Sequence, residues 1–242
     1  MKLKSGLNAY GRVKIELINP PVFNNDFNTQ VDEIWKSETD KNPYLFDGKV
    51  LCFDSYENIN GLIQVKAYFF NYRYVVAKNV LTFRAPDITV IGTSGVCLIT
   101  ENETEYLVTA TRSESNFLAP GKIEMVPSGV VDDRSFNQNG ELVPEINLFN
   151  EFEEETGLDK SFIQSFGKWY FIHDTNTMSV DFCAELVLGC TINQMRASLS
   201  KSDEYENPVF IEKKQLKNYI NINTGKMTLL TRCFLEQLLY PE

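Results

Sequence analysis

The sequence predicts an α/β (α+β) fold: a mixed sheet with helices packed on it, preceded by a small α+β module. Three observations carry this. Residues 10–18, Y-G-R-V-K-I-E-L-I, alternate in the manner of a half-buried strand, and similar runs recur along the chain. Residues 144–158 carry the start and stop signals of a helix. Pro144 suits the first helical position, where its missing N–H is no loss, and Gly157 can close the helix in a left-handed cap. Finally, strand, helix, strands and helix follow one another in the order expected of a mixed sheet covered by helices.

The elements follow in order. Pro20, Pro21 and the Asn-rich stretch to Asn28 read as loop, and residues 31–36 as a short helix carrying Ile34 and Trp35. Residues 42–48 turn the chain, with Phe46 reading as core and Gly48 supplying permissive backbone. Residues 49–54, 61–70 and 72–76 read as strands, closing a module near Phe83. Ala85-Pro86-Asp87 is the expected boundary, giving a module over 1–85 and a main domain over 86–242. Residues 88–100 form an apolar run interrupted by Gly92-Thr93-Ser94-Gly95. A turn at residues 101–103 leads to a second strand over 106–111. Residues 123–129 read as a strand and turn, and 130–141 as a long loop before the helix. Beyond the helix, residues 165–173 and 178–188 read as strands joined by a turn at Thr175-Asn176-Thr177. An acidic loop at 203–206 precedes a strand over 209–211, and residues 213–219 and 227–240 read as helices.

The chain of 242 residues is 43% hydrophobic and 12% aromatic, enough for a sizeable core. A net charge of −10 supplies no basic footprint for nucleic acid or an anionic membrane, so neither is an expected partner. An anionic substrate then needs a metal ion or a local cluster of Arg and Lys. The cysteines (Cys52, Cys97, Cys183, Cys190, Cys233) are odd in number, lie in apolar runs and form no C-x-x-C pair, as expected of buried thiols in a reducing compartment. With no signal peptide or long apolar span, the expectation is a soluble cytoplasmic protein.

At about 100° per residue, Leu148, Phe149, Phe152 and Thr156 gather on one helix face, while Glu151, Glu154 and Glu155 are expected nearly opposite. Three carboxylates at this spacing repel one another. On spacing alone two readings stay open: a solvated acidic face, or hard oxygen ligands for Mg²⁺, with Mn²⁺ an alternative.

Residues 150–158, N-E-F-E-E-E-T-G-L, resemble the C-terminal half of the Nudix box, R-E-U-x-E-E-x-G-U with U apolar, with Asn150 in place of the arginine. Residues 123–129, I-E-M-V-P-S-G, look like the strand and turn that lead into that box. Ser128 stands at the first of two glycines and Gly129 at the glycine that opens the box. The acid expected six residues later is displaced. An insertion over residues 133–139 accounts for this and puts Gly140-Glu141 one residue out of register. Ile34-Trp35, then Pro43-Tyr44-Leu45-Phe46-Asp47-Gly48, then Tyr72-Arg73 resemble the N-terminal region of a group within the family, the animal enzymes that hydrolyse UDP-glucose. That group also carries an amide at the box arginine.

The resemblance implies a Nudix sandwich and Mg²⁺-dependent hydrolysis of a UDP-sugar to UMP and a sugar 1-phosphate. It implies Glu151, Glu154, Glu155 and Gly129 as metal ligands, with Glu154 and Glu155 catalytic. Glu204 is the leading general base, with Asp181 and Glu206 as alternatives. Arg112, Ser128, Tyr72 and Arg73 are the expected substrate contacts. His173, the lone histidine, reads as a strand residue. Hydrolysis of ADP-ribose or a dinucleotide, and a noncatalytic nucleotide-binding module, are the alternatives.

Overall fold

A computed structural model of the chain describes residues 9, 10, 12–82, 85–174 and 179–239. Twelve strands among these residues belong to one mixed sheet: β1 (Ala9–Tyr10), β2 (Arg12–Leu17), β3 (Lys49–Ile59), β4 (Leu62–Asn71), β5 (Thr89–Glu101), β6 (Thr104–Arg112), β7 (Ile123–Met125), β8 (Ser128–Val130), β9 (Ile163–Phe166), β10 (Trp169–Asp174), β11 (Ser179–Leu188) and β12 (Tyr205–Glu212). Its α-helices are α1 (Asn25–Lys41), α2 (Tyr72–Leu81), α3 (Pro144–Thr156), α4 (Ile192–Leu199), α5 (Leu216–Asn223) and α6 (Leu229–Leu239).

The sheet is organised on β5. Along one edge β11 runs parallel to it from Val90 to Ile99. Along the other edge three strands follow in succession: β3 at Thr89–Val90, β8 at Gly92–Ser94, and β6 at Leu98–Glu101. The ladder therefore splits beside the middle of β5, and the short strand β8 occupies the fork. Because strand side chains alternate between faces, Ile91, Cys97 and Ile99 of β5 pack toward α3 and α4, in a cluster with Leu148, Phe152, Met195 and Leu199. Val96 and Leu98 pack the opposite way, with Leu216 and Ile220 of α5 and Phe234 and Leu235 of α6. Helices on both faces of a mixed sheet are the architecture that the sequence predicts. Leu148 and Phe152 are fully buried, each contributing about 1.5–3 kcal/mol by leaving water.

The N-terminal elements form a third cluster, in which Phe27, Val31, Val75 and Ala77 cover Val50, Cys52 and Tyr68. The sheet continues across residues 85 and 86 through the pairing of β3 with β5. Helix α1 starts earlier than expected, because Asn24 caps it by accepting the Phe27 N–H at 2.8 Å. The largest correction is α2, where residues 72–76 were expected as a strand. Val75 and Val76 favour strand locally. However, Asp47 reaches over from the preceding loop and accepts the Arg73 N–H at 2.9 Å, while Gly48 O accepts the Tyr72 N–H at 2.8 Å. A remote carboxylate thus caps the first turn and fixes a helix. Phe46, expected in the core, is 81% exposed beside the exposed Tyr44. Helix α4 has no counterpart among the expected elements; Thr191 and Gln194 build a capping box for it. The expected module end at Phe83, the turn at Thr175-Asn176-Thr177, and the outer ends at Met178 and Tyr240 lie outside the described residues. No helix among the described residues is long and apolar enough to cross a membrane.

Candidate functional site

Helix α3 begins with Pro144 in its first turn and ends where Gly157 adopts φ 68°, its N–H donating to Glu153 O at 3.0 Å. The helix lies against β8, so Glu151 and Glu155 meet Ser128 and Gly129. The Ser128 N–H donates to Glu155 Oε2 at 2.9 Å. Gly129 presents its bare Cα to the Glu151 carboxyl: a β-carbon there would lie 2.5 Å from Oε1 and closer still to Oε2 and Cδ. Only glycine lets the carboxyl come this near.

The three glutamates do not share one solvent face, which corrects the expected grouping. Glu155 is 3% exposed, at the border of the apolar stripe. Glu151 is half-buried, and Glu154 is exposed. A side chain opposite Leu148 lies about half a turn or one and a half turns away, roughly two or five residues on; seven residues on, Glu155 returns almost to the same face.

Behind Glu155 lies a buried polar group. The Tyr205 hydroxyl sits 3.3 Å from Glu155 Oε1 and 3.3 Å from Glu124 Oε2, and its single hydrogen can serve one at a time. Glu124, 6% exposed, is paired with Arg112 Nη1 in a tight ion pair. Arg112 Nε donates to Leu118 O at 2.9 Å. On the solvent side, Arg134 donates from Nε to Asp132 Oδ2 at 2.6 Å and from Nη1 to Glu154 Oε1 at 2.5 Å. Glu154 thus receives a charge-assisted bond from the loop that precedes its own helix.

Electrostatics separate these carboxyls from ordinary surface acids. Burial, then Glu154 and Glu204, push Glu151 from the ordinary 4.5 up to about 8; Arg134 opposes the rise and Asp132 adds to it. Burial, then Glu151 and Glu204, hold Glu155 well above its ordinary value, against the Ser128 amide. Burial also raises Glu124, although Arg112 opposes it. Glu204 therefore stands close enough for its charge to reach all three. Six carboxyls (Glu124, Asp132, Glu151, Glu154, Glu155 and Glu204) face two guanidinium groups, Arg112 and Arg134. Among the described residues no cation pairs directly with Glu151 or Glu155. Hard oxygen donors carrying an excess of negative charge suit a divalent cation. Among the described residues, however, no three Asp, Glu, His or Cys side chains already converge as a metal cluster; Glu154 is turned to Arg134.

The other expected residues are placed as follows. Burial raises the Tyr72 phenol, and the charge of Arg112 lowers it, so Tyr72 lies within reach of this group. Arg73 is bound to Asp47 at 2.5 Å and to Asp32 at 2.9 Å. Asp181 is buried in β11 opposite Gly92, Glu206 is exposed in β12 opposite Thr111, and the His173 ring packs 5.3 Å from Phe53. Glu141 is exposed and accepts the Asn137 side-chain N–H at 2.9 Å in its own turn. Surface hollows of about 310 Å³ beside Tyr219 and about 120 Å³ beside Tyr56 lie away from the carboxyls.

Sequence reasoning missed Glu124, Asp132, Arg134, Asn147 and Tyr205. Glu124 was legible as the one charge in an apolar strand. The contacts of Arg134 with Glu154 and of Tyr205 with Glu124 and Glu155 span distant parts of the sequence and gave no signal.

No protein-family model matches the chain, and no curated protein does. Among solved structures, DR0079 from Deinococcus radiodurans matches at 16% identity and TM-score 0.43, over 62% of this chain and 82% of that one. The NUDIX domain of Shewanella oneidensis NrtR complexed with ADP ribose matches at 12% identity and TM-score 0.43, over 66% and 94%. A C. elegans Ap4A hydrolase binary complex matches at 16% identity and TM-score 0.40, over 62% and 96%. Likeness at this level carries no assignment of activity or ligand.

Proposed function

We propose that the chain is a divalent-metal-dependent hydrolase of the pyrophosphate bond in a nucleoside diphosphate derivative, with a UDP-sugar of the UDP-glucose type as substrate and UMP and a sugar 1-phosphate as products. The observation that carries the reading is Glu151: a half-buried carboxyl packed on Gly129, raised to about 8 by burial and like charges, with no cation paired to it among the described residues. The box-like sequence of residues 150–158 agrees with it.

In this reading Glu151, Glu154, Glu155 and the Gly129 carbonyl hold Mg²⁺ or Mn²⁺. When bound, the ion would supply neutralisation of phosphate charge and a more acidic water. Glu204 would take the proton of the water that attacks phosphorus, the sugar 1-phosphate or UMP leaving as the bridging P–O bond breaks. The Ser128 N–H and the Tyr205 hydroxyl fix Glu155. Tyr72 is the nucleotide contact, and Arg112 would reach the nucleotide only by leaving Glu124 and Leu118 O. Arg73 would join them only by leaving Asp47 and Asp32. Residues 1–85 act as the nucleotide-recognition module.

The test is Mg²⁺-dependent release of UMP from a panel of UDP-sugars, with ADP-ribose and a dinucleotide alongside. A Glu154→Gln, Glu155→Gln double variant should stay folded and lose turnover. Release from ADP-ribose or the dinucleotide alone would move the substrate to that class. No release from any of them would sink the enzyme reading. A second reading, a noncatalytic nucleotide-binding module, draws on the lack of a preassembled carboxylate cluster among the described residues and on Asn150. Nucleotide binding without turnover is its signature.

A further inference from the structure

We propose that Arg134 is a substrate-binding side chain held in reserve: it rests on Glu154 until a divalent cation claims that carboxylate, and then offers its freed N–H groups to the substrate's phosphate oxygens. The proposal rests on the metal-site reading above and adds a residue to it.

Arg134 is placed by its own loop. Its backbone N–H donates to Asp132 Oδ1 at 2.8 Å and its Nε to Asp132 Oδ2 at 2.6 Å, so the base of the guanidinium is fixed. The loop is itself anchored. Asn147, 1% exposed, accepts from the Asp132 N–H at 3.4 Å and the Ser135 hydroxyl at 3.1 Å, and donates to Thr93 Oγ1 at 2.8 Å. The Leu51 N–H donates to Val131 O at 2.8 Å.

The far end of the side chain is held less firmly. Nη1 lies 2.5 Å from Glu154 Oε1 but Nη2 is 3.5 Å from Oε2, and both side chains are about half exposed, at 53% and 52%. An ion pair this open contributes little, so a dication can displace it. The charge of the guanidinium also reaches Glu151, whose rise it opposes. The other guanidinium of the site, Arg112, is taken by Glu124 and Leu118 O. Arg134 is therefore the cation that can turn to an arriving anion. With Nε still tied to Asp132, Nη1 and Nη2 present a planar fork suited to two phosphate oxygens.

The experiment uses the full chain and its Arg134→Gln variant, with melting curves as a folding control. Mn²⁺ binding is followed by electron paramagnetic resonance, first with Mn²⁺ alone and then with inorganic pyrophosphate added. Removing the competitor should tighten Mn²⁺ alone by about two- to fivefold, the range open to an exposed pair. Losing the fork should weaken pyrophosphate binding about tenfold or more. Tightened Mn²⁺ with unchanged pyrophosphate would make Arg134 a counter-ion only and overturn the proposal. Unchanged or weakened Mn²⁺ binding would overturn it as well. A wild-type chain that binds no Mn²⁺ would instead overturn the metal-site reading on which it stands.

Discussion

Substituting Gly129 by alanine isolates the closest approach in the site. The new β-carbon would sit 2.5 Å from Glu151 Oε1 and closer to the other two terminal atoms, whereas ordinary contact begins at 3.4 Å. What it meets is the end of a flexible side chain, so the carboxyl swings aside by about 1 Å and the fold absorbs the change at a cost of less than about 1 kcal/mol. For a chain of this size the melting temperature should move by no more than about 4 °C. Cation binding is less tolerant. Oxygen ligands of Mg²⁺ sit at about 2.0–2.1 Å in near-octahedral geometry, so a carboxyl displaced by that distance no longer reaches. Misplacing even the groups that orient a metal ligand weakens binding about 10- to 100-fold. Mn²⁺ affinity, measured by paramagnetic resonance or calorimetry, should therefore fall at least about tenfold while the melting curve stays near wild type. Wild-type affinity in Gly129→Ala would show that Glu151 is no ligand.

The pH dependence of stability follows from Glu151. Its folded-state value near 8 lies above the ordinary 4.5, so between these values the folded chain holds a proton that the unfolded chain has released. Stability of the metal-free protein should thus fall as pH rises from about 4.5 to 8; Glu151→Gln should flatten the fall and raise the melting temperature at pH 8 by on the order of 5 °C. Tyr205→Phe removes the hydroxyl between Glu124 and Glu155; chemical denaturation should show a loss of about 1–2 kcal/mol. Asn147→Ala cuts the buried links to Thr93, Ser135 and the Asp132 N–H and should cost about 1–3 kcal/mol, with faster proteolysis in the loop over residues 131–141. Asp47→Ala removes the remote cap of α2 and should lower stability by about 1–2 kcal/mol, with amide exchange rising first at Tyr72–Leu81.

What the sequence determined by itself was local. Pro144 and Gly157 bracket α3 through their own backbone constraints, and the turn at Asn102-Glu103, where both residues adopt positive φ, separates two apolar runs that pair as β5 and β6. The acidic spacing of Glu151, Glu154 and Glu155 was likewise plain to read. Only the tertiary structure decided what those residues face. Asp47 made a helix of residues that favour strand, because a capping carboxylate can arrive from any distance in sequence. The fork beside β5 put Ser128 and Gly129 under α3 and drew Glu155 inward to Tyr205, while the loop over residues 131–141 turned Glu154 outward to Arg134. Side-chain period fixes which groups share a helix face. The charge each one meets depends on strands and loops that local pattern does not contain.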